Sequence, residues 1–495
     1  MEIERFINEV GERVVKYLND SDERPLSSYV APDDLRNAVD MEFPKYGHGR
    51  EKVLGDIDQY LRSCVKTDKA EFMNPLWAGV NVAGLAGEII ANLANTSMYT
   101  YEIAPLASLI ELQVLKKLAD LSGFTNFDNG GAGTFTTGGS NGNMLGMLCA
   151  RQYHFPESTS EGIDGRKLVA FVSKESHYSV AMSGNVLGIG HKNVIKVACD
   201  DAGRMSPAAL QKEIHRTRSE GKTPFCIITT AGTTVRGAFD PFDAVSDIAE
   251  RENIWHHVDG AWGGPALFSS SHRRLMKGLE RADSTSIDAH KIMGMQLTCS
   301  VFLVNKNHRH VLGTVCSHGD SAHYLYHEAT ENVDLGRYSL QCGRRNDALK
   351  LWLAWREIGD QGWENMIDRY MSLAAYLERK VKSEPRLEMM SSRQWTNVCF
   401  RYKFKASDDE KNALNSSLRE KLMQEGKFMI SKAKINEDII LRPVLANPKT
   451  TETTLDNLIK EILRIGDDMS DDHLFAQEIA SSTHEEVSKA SVLSS

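Results

Sequence analysis

The chain has 495 residues, 41% of them hydrophobic and 25% charged, with a formal net charge of −9. That length and apolar content suffice for a large core and for more than one domain. The negative balance argues against nucleic acid or an anionic membrane as the main partner, and no apolar run approaches the ~20 residues that span a bilayer.

Residues 1–70 read as a helical arm, with helical patterns over 3–18, 32–39 and 49–65 separated by Asp, Ser and Pro. The first of these is amphipathic and lacks the continuous apolar stretch of a signal peptide. An arm that cannot bury its own apolar face packs on the main domain or on a second subunit. Helices are expected over 80–93 and 104–121, the second stopping at Gly123. A Gly- and Ser-rich turn over 130–143 then opens a helix at 144–152. Such a turn can cradle a phosphate, because free N–H groups and the helix dipole both favour an anion.

Between 165 and 305, strand patterns at 167–172, 194–198, 225–229, 254–259 and 299–304 are separated by longer segments, among them a helix over 240–251. This βαβ series implies a mainly parallel sheet covered on both faces. His177 follows the first of these strands, and Thr234 lies in the Gly- and Thr-rich segment after the third. Asp259 ends the fourth, and Lys291 lies between it and the fifth. Ligands gather at the carboxyl ends of strands in such sheets. A lysine able to form a Schiff base and an acid able to pair a pyridinium nitrogen are what pyridoxal phosphate requires. Residues 314–337 read as a polar loop, followed by helices over 347–358 and 363–381. Further strands (398–402, 439–444) and helices (409–424, 454–465) give a small α+β domain, and the acidic stretch 467–495 reads as a disordered tail. The domain expectation is therefore an arm at 1–70, a large domain at 71–360, a small domain at 361–466 and the tail.

Eight cysteines are scattered singly, with no CxxC pair and no Cys/His ligand spacing. No metal is expected, and the reading is a reduced, soluble, cytoplasmic protein.

Several stretches together resemble group II pyridoxal-phosphate-dependent amino-acid decarboxylases, in particular the glutamate and cysteine-sulfinate branch. They are LANTSMYTYEIAP (93–105), SKESHYS (173–179), AGTTVRGAFDP (231–241), HVDGAWGG (257–264), HKIMGMQLTCS (290–300), QCGR (341–344) and TNVCF (396–400). The resemblance covers roughly residues 70–465. It implies an α/β, aminotransferase-like type I fold, acting as a homodimer on an amino acid. It assigns Lys291 to the Schiff base, Asp259 to the ring nitrogen, His177 to stacking on the ring and Ala261 to packing against it. Gly139, Ser140, Asn143 and His290 would hold the phosphate or the substrate carboxylate, with Thr234 close to the cofactor. Arg442 would face a substrate carboxylate, and Asn74 begins a segment that touches the substrate side chain.

The family's Asn-Pro-His-Lys is Asp288-Ala289-His290-Lys291 here, its Asn-Gln-Leu is Asn74-Pro75-Leu76, and the catalytic loop is shorter. In that loop Tyr324 and Tyr326 are the candidate proton donors. The implied reaction is α-decarboxylation of a small acidic amino acid: glutamate, aspartate, cysteine sulfinate or cysteate. The alternatives are 2,4-diaminobutyrate or an aromatic amino acid as substrate, or a carbon–carbon lyase or decarboxylating oxidase on the same scaffold.

Overall fold

The computed structural model describes all residues except 21–23, 28, 125–132, 164, 318–324, 327–332 and 472–495. Tyr324, the start of the Gly-rich turn and most of the acidic tail thus lie outside the described residues. The chain forms two compact units. One comprises Met1–Gly79, Ala375–Met390 and Val398–Ser495, and the other Val80–Ala374 with Ser391–Asn397.

In chain order the described strands are β1 Phe72–Met73, β2 Gly133–Thr136, β3 Leu168–Ser173, β4 Val194–Val197, β5 Thr223–Thr230, β6 Trp255–Asp259, β7 Ser284–Asp288, β8 Ser300–Val304, β9 Leu387–Met389, β10 Phe400–Tyr402, β11 Met429–Ile435 and β12 Asp438–Arg442. The second unit holds a seven-stranded sheet in the order β2-β8-β7-β6-β5-β3-β4. Its β4-β3-β5-β6-β7 ladders are parallel, and β8 runs antiparallel to both β7 and β2. This is the mainly parallel sheet expected of the type I fold. All six residues of β3 are buried, as a parallel strand covered on both faces requires. Leu168, Ala170 and Val172 join one apolar cluster, with Trp255 and Phe302. Val169 and Phe171 join the cluster on the opposite face, with Leu210, Ile214 and Val245. The alternation follows from the two-residue period of a strand.

Three local expectations change. The Gly-rich turn contains β2, a short edge strand paired with β8. Helix formation starts at Gly139, five residues earlier than the apolar pattern indicates, after Gly138 turns the chain at φ 107°. The segment between β6 and β7 is a series of 3-10 turns rather than an α-helix.

Among the described residues the helices ahead of β3 are α1 Ile3–Asn19, α2 Pro32–Ala38, α3 Gly49–Ser63, α4 Val82–Ala94, α5 Pro105–Leu121, α6 Gly139–His154 and the single turn α7 Ser158–Glu161. A side chain on Gly146 of α6 would overlap the His257 ring, with a Cβ only 2.6 Å from Nδ1. Glycine there lets α6 lie against β6.

In the other unit, β1-β11-β12-β10-β9 form a second sheet, parallel at β1/β11 and antiparallel elsewhere. The helix Asp408–Gln424 begins in a Ser407/Glu410 capping box. Residues 467–471 continue a helix that starts at 452, whereas disorder was expected from 467. Asp467 is held there by Tyr402 Oη at 2.6 Å and by Arg386 at 2.6 Å. In the arm, Arg13 bridges α1 to Asp58 of α3 at 2.9 Å, yet α1 has no buried residue.

Beneath the sheet's functional edge, burial pushes the imidazole pKa of His256 down to about 4 and that of His257 down to about 3. Burial pushes the Asp240 carboxyl up to about 7, against the pull of the Met205 and Thr230 N–H groups. At pH 5 unfolding therefore gives two histidines a proton each and takes one from Asp240, a net uptake of one. From these three groups, stability falls as pH drops from 6.5 toward 4, most steeply near pH 5, where the slope approaches about 1.4 kcal/mol per pH unit. Denaturant titrations at pH 6.5 and pH 5 measure this, and equal or greater stability at pH 5 contradicts it.

Candidate active site

The candidate site is built where strands end. Thr230 closes β5, Asp259 closes β6 and Asp288 closes β7. The sheet order reverses between β3 and β5, which is where an open α/β sheet leaves a crevice. A cavity of about 200 Å3 opens there, lined by Gly139, Ser140, Asn143, His177, Thr234, Asp259, Ala261, His290 and Lys291. Every one of these was singled out in the sequence. The lining also includes Ser179, Thr230, Trp262 and Asp288.

Asp259 is held from both sides. Its Oδ1 accepts the Ala261 N–H at 3.1 Å and its Oδ2 accepts Asn143 Nδ2–H at 2.8 Å. The orientation of Asn143 is set by the acid and continues into a chain of bonds behind it. Trp255 Nε1 can only donate, and does so to Ser284 Oγ at 2.9 Å. The Asp259 carboxylate can only accept, so Asn143 turns its Nδ2 to the acid and its Oδ1 to His257, and the Ser284 hydroxyl donates to His257 Nδ1 at 2.9 Å. That places the proton of the neutral ring on Nε2, from which it is donated to Asn143 Oδ1 at 3.1 Å. Ser286 Oγ donates to the same oxygen at 3.2 Å, and the second Asn143 N–H reaches Ser179 Oγ at 3.1 Å. All four hydrogen-bonding positions of the amide are taken. Asn143 thus supports Asp259 at the wall of the cavity.

His177 accepts the Ser179 N–H on Nδ1 at 3.3 Å, so a neutral ring carries its proton on Nε2. Burial pushes its pKa down, opposed by Asp259. Lys291 Nζ lies 3.0 Å from Asp288 Oδ2. Lys291 is carried by the connection from β7 to β8, whose ends are locked by the Asp288–Ser300 register. Thr234 lies in a loop fixed by Asn397, whose Nδ2 donates to the carbonyls of Thr234 (3.1 Å) and Val235 (3.0 Å). Trp262 Nε1 donates to Asn397 Oδ1 at 2.7 Å.

Asn74 and Arg442 belong to the other unit. Arg442 ends β12, is buried, and donates from Nε to Ser431 Oγ at 2.9 Å. Burial lowers its pKa. Tyr326 stacks on Tyr99 at 5.6 Å, with the Arg337 guanidinium 4.4 Å from its ring centroid. No cluster among the described residues has the composition of a metal site.

A family model described as the pyridoxal-dependent decarboxylase conserved domain matches residues 32–403. The chain belongs to the pyridoxal-dependent decarboxylase family. It is 37% identical over 474 residues to mouse cysteine sulfinic acid decarboxylase, covering 93% of this chain and 94% of that one. It is 35% identical to mouse acidic amino acid decarboxylase GADL1, covering 94% of this chain and 86% of that protein. The crystal structure of mouse CSAD superposes with a TM-score of 0.89 at 35% identity, over 94% of this chain and 98% of that one. A rice TDC structure with PLP and tryptamine has the same fold, with a TM-score of 0.87 at 23% identity and coverage of 94% and 98%.

The residues fit the cofactor of a pyridoxal-dependent decarboxylase. An amine and a fixed carboxylate share one cavity with the start of α6. Thr230 Oγ1, buried at its edge, has no hydrogen-bond partner among the described residues. Removing the Asn143 amide would strand Asp259, Ser179 and His257 together. Asn143→Ala is expected to lower stability by about 1–3 kcal/mol and cofactor affinity by about tenfold or more, as loss of a ligand's supporting partner does. Thermal melts and cofactor titration check this. Wild-type values for both would remove Asn143 from the support of Asp259.

Proposed function

We propose that the chain removes the α-carboxylate of a small acidic amino acid as CO2, using pyridoxal phosphate on Lys291. The observation that carries this reading is the meeting of Lys291, Asp259 and His177 in one cavity, in a chain similar over most of its length to decarboxylases named for acidic substrates. When bound, the cofactor supplies an aldehyde that captures the substrate amine and a ring that accepts the electron pair left by CO2. Asp259 presents its fixed carboxylate to the ring nitrogen, a preorganised charge that needs no rearrangement during reaction. His177 would stack on the ring, Ala261 would pack against it, and Thr234 would lie close to it. Gly139 and Ser140 at the start of α6, with His290, receive the phosphate. Arg442 and Asn74 recognise the substrate. The packing of Tyr326 on Tyr99 favours Tyr324 as the group that returns a proton to Cα.

The functional unit in this reading is a homodimer. The support is apolar surface that a lone chain leaves in water: Ile3, Ile7 and Val15 on α1, and Val82, Ile89, Ile90 and Leu93 on α4. All eight cysteines are free, which suits a reducing, cytoplasmic setting.

A screen for CO2 release tests the substrate. Cysteine sulfinate, cysteate, aspartate or glutamate should react, with one amine formed per CO2, and Tyr324→Phe should lower the amine-to-CO2 ratio. Release from 2,4-diaminobutyrate or aromatic amino acids alone contradicts the acidic assignment. Peroxide and ammonia in place of amine contradict simple decarboxylation.

A further inference from the structure

Asp288 is a carboxylate on the cofactor side of the cavity, at the position where the family motif has asparagine. It is almost fully buried and its neighbours are all specific. Oδ2 lies 3.0 Å from Lys291 Nζ and 3.7 Å from His290 Nε2, and Oδ1 accepts a short hydrogen bond from the Ser300 hydroxyl. It also sits against the start of α6, since a Cβ on Gly139 would come 2.7 Å from Oδ2. Glycine at 139 is what lets the carboxylate and the helix start come together. Burial pushes the Asp288 carboxyl up, but Lys291, His290 and Ser300 outweigh it and hold it below the usual carboxylate range. A fixed negative charge thus lies against Gly139, at the helix start that would receive a phosphate.

His290 suits the same arrangement. Its Nδ1 faces both the N–H of Cys299 (3.2 Å) and its carbonyl (3.1 Å). The backbone can therefore partner Nδ1 as an acceptor or as a donor, which leaves Nε2 on the side of Asp288 and the anion subsite.

We propose that Asp288 is a positioning residue that tethers the Lys291 amine in the cofactor-free chain and weakens the hold of the adjoining anion subsite on phosphate, so that the cofactor is exchangeable. The proposal rests on the assignment of pyridoxal phosphate to Lys291. Capture of the aldehyde requires Lys291 to lose a proton, attack the carbonyl carbon and expel water. The tether opposes the first of these steps and the charge opposes phosphate binding, so both act in the same direction.

The test uses the full-length chain with cofactor removed, as wild type and as Asp288→Asn, which keeps the acceptor for Ser300 and removes the charge. Pyridoxal phosphate and its phosphate-free analogue pyridoxal are titrated by absorbance, and each adduct is located after borohydride reduction. Asp288→Asn should bind pyridoxal phosphate about tenfold more tightly, release it correspondingly more slowly, and gain less toward pyridoxal. Unchanged or weaker binding of pyridoxal phosphate, with the adduct still on Lys291, overturns the proposal. So does an equal gain for the two aldehydes. Absence of any Lys291 adduct in the wild type would instead overturn the cofactor assignment. Circular dichroism monitors folding, and Asp288→Ser, which also removes the charge, replaces the asparagine variant should that one fail to fold.

Discussion

The candidate site depends on the placement of one carboxylate. Asp259 ends a fully buried strand, where an unsupported charge would be costly. It is oriented by a backbone N–H on one oxygen and an asparagine amide on the other. Because the acid can only accept, that amide turns its oxygen to His257 and sets the proton of the neutral ring on Nε2, with Ser284 donating to Nδ1 and accepting from Trp255. The series runs from the sheet core to the cavity with each donor matched to an acceptor. A fully satisfied buried network is rigid, and a partly satisfied one is costly. The neutral state of His257, enforced by its burial, is part of the same arrangement.

The rest of the site follows from the way the sheet is wound. Parallel strands β5, β6 and β7 deliver Thr230 beside Asp259, and Asp288 two residues beyond the Ser286 that pairs with Asp259, to one edge, the carboxyl end of the sheet. The reversal at β8 then makes the β7–β8 connection a return over that same edge, and it is this connection that carries His290 and Lys291. The helix start at Gly139 reaches the edge because small residues on α6 allow it to lie against β6 and β7. The amine, the acid and the anion-binding helix start thus come from distant parts of the chain, and the sheet brings them together.

Much of this was legible in the sequence. Lys291, Asp259, His177, Thr234, Ala261, His290, Gly139 and Ser140 stand in short motifs at strand ends, and the cavity collects all of them. What escaped notice has physical reasons. β2 lies within a Gly- and Thr-rich run whose composition reads as a turn, and it is a strand only because β8 offers it an edge. β7, with the sequence STSID, lacks an apolar run because its serines and threonine make buried hydrogen bonds, as Ser284, Thr285 and Ser286 do. The support of Asp259 by Asn143 joins residues 116 positions apart, a pairing that local periodicity does not record. The same holds for Asn397, whose contacts with Trp262 and the Thr234 loop span 135 and 163 positions.

The central claim is that the chemistry runs through one amine. Reduction of the cofactor-loaded chain with borohydride, followed by proteolysis and mass spectrometry, locates the covalent adduct directly. The account predicts a pyridoxyl phosphate mass on the peptide containing Lys291, with loss of CO2 release in parallel. An adduct confined to another lysine, or an unmodified Lys291 in a chain that still releases CO2, would contradict it.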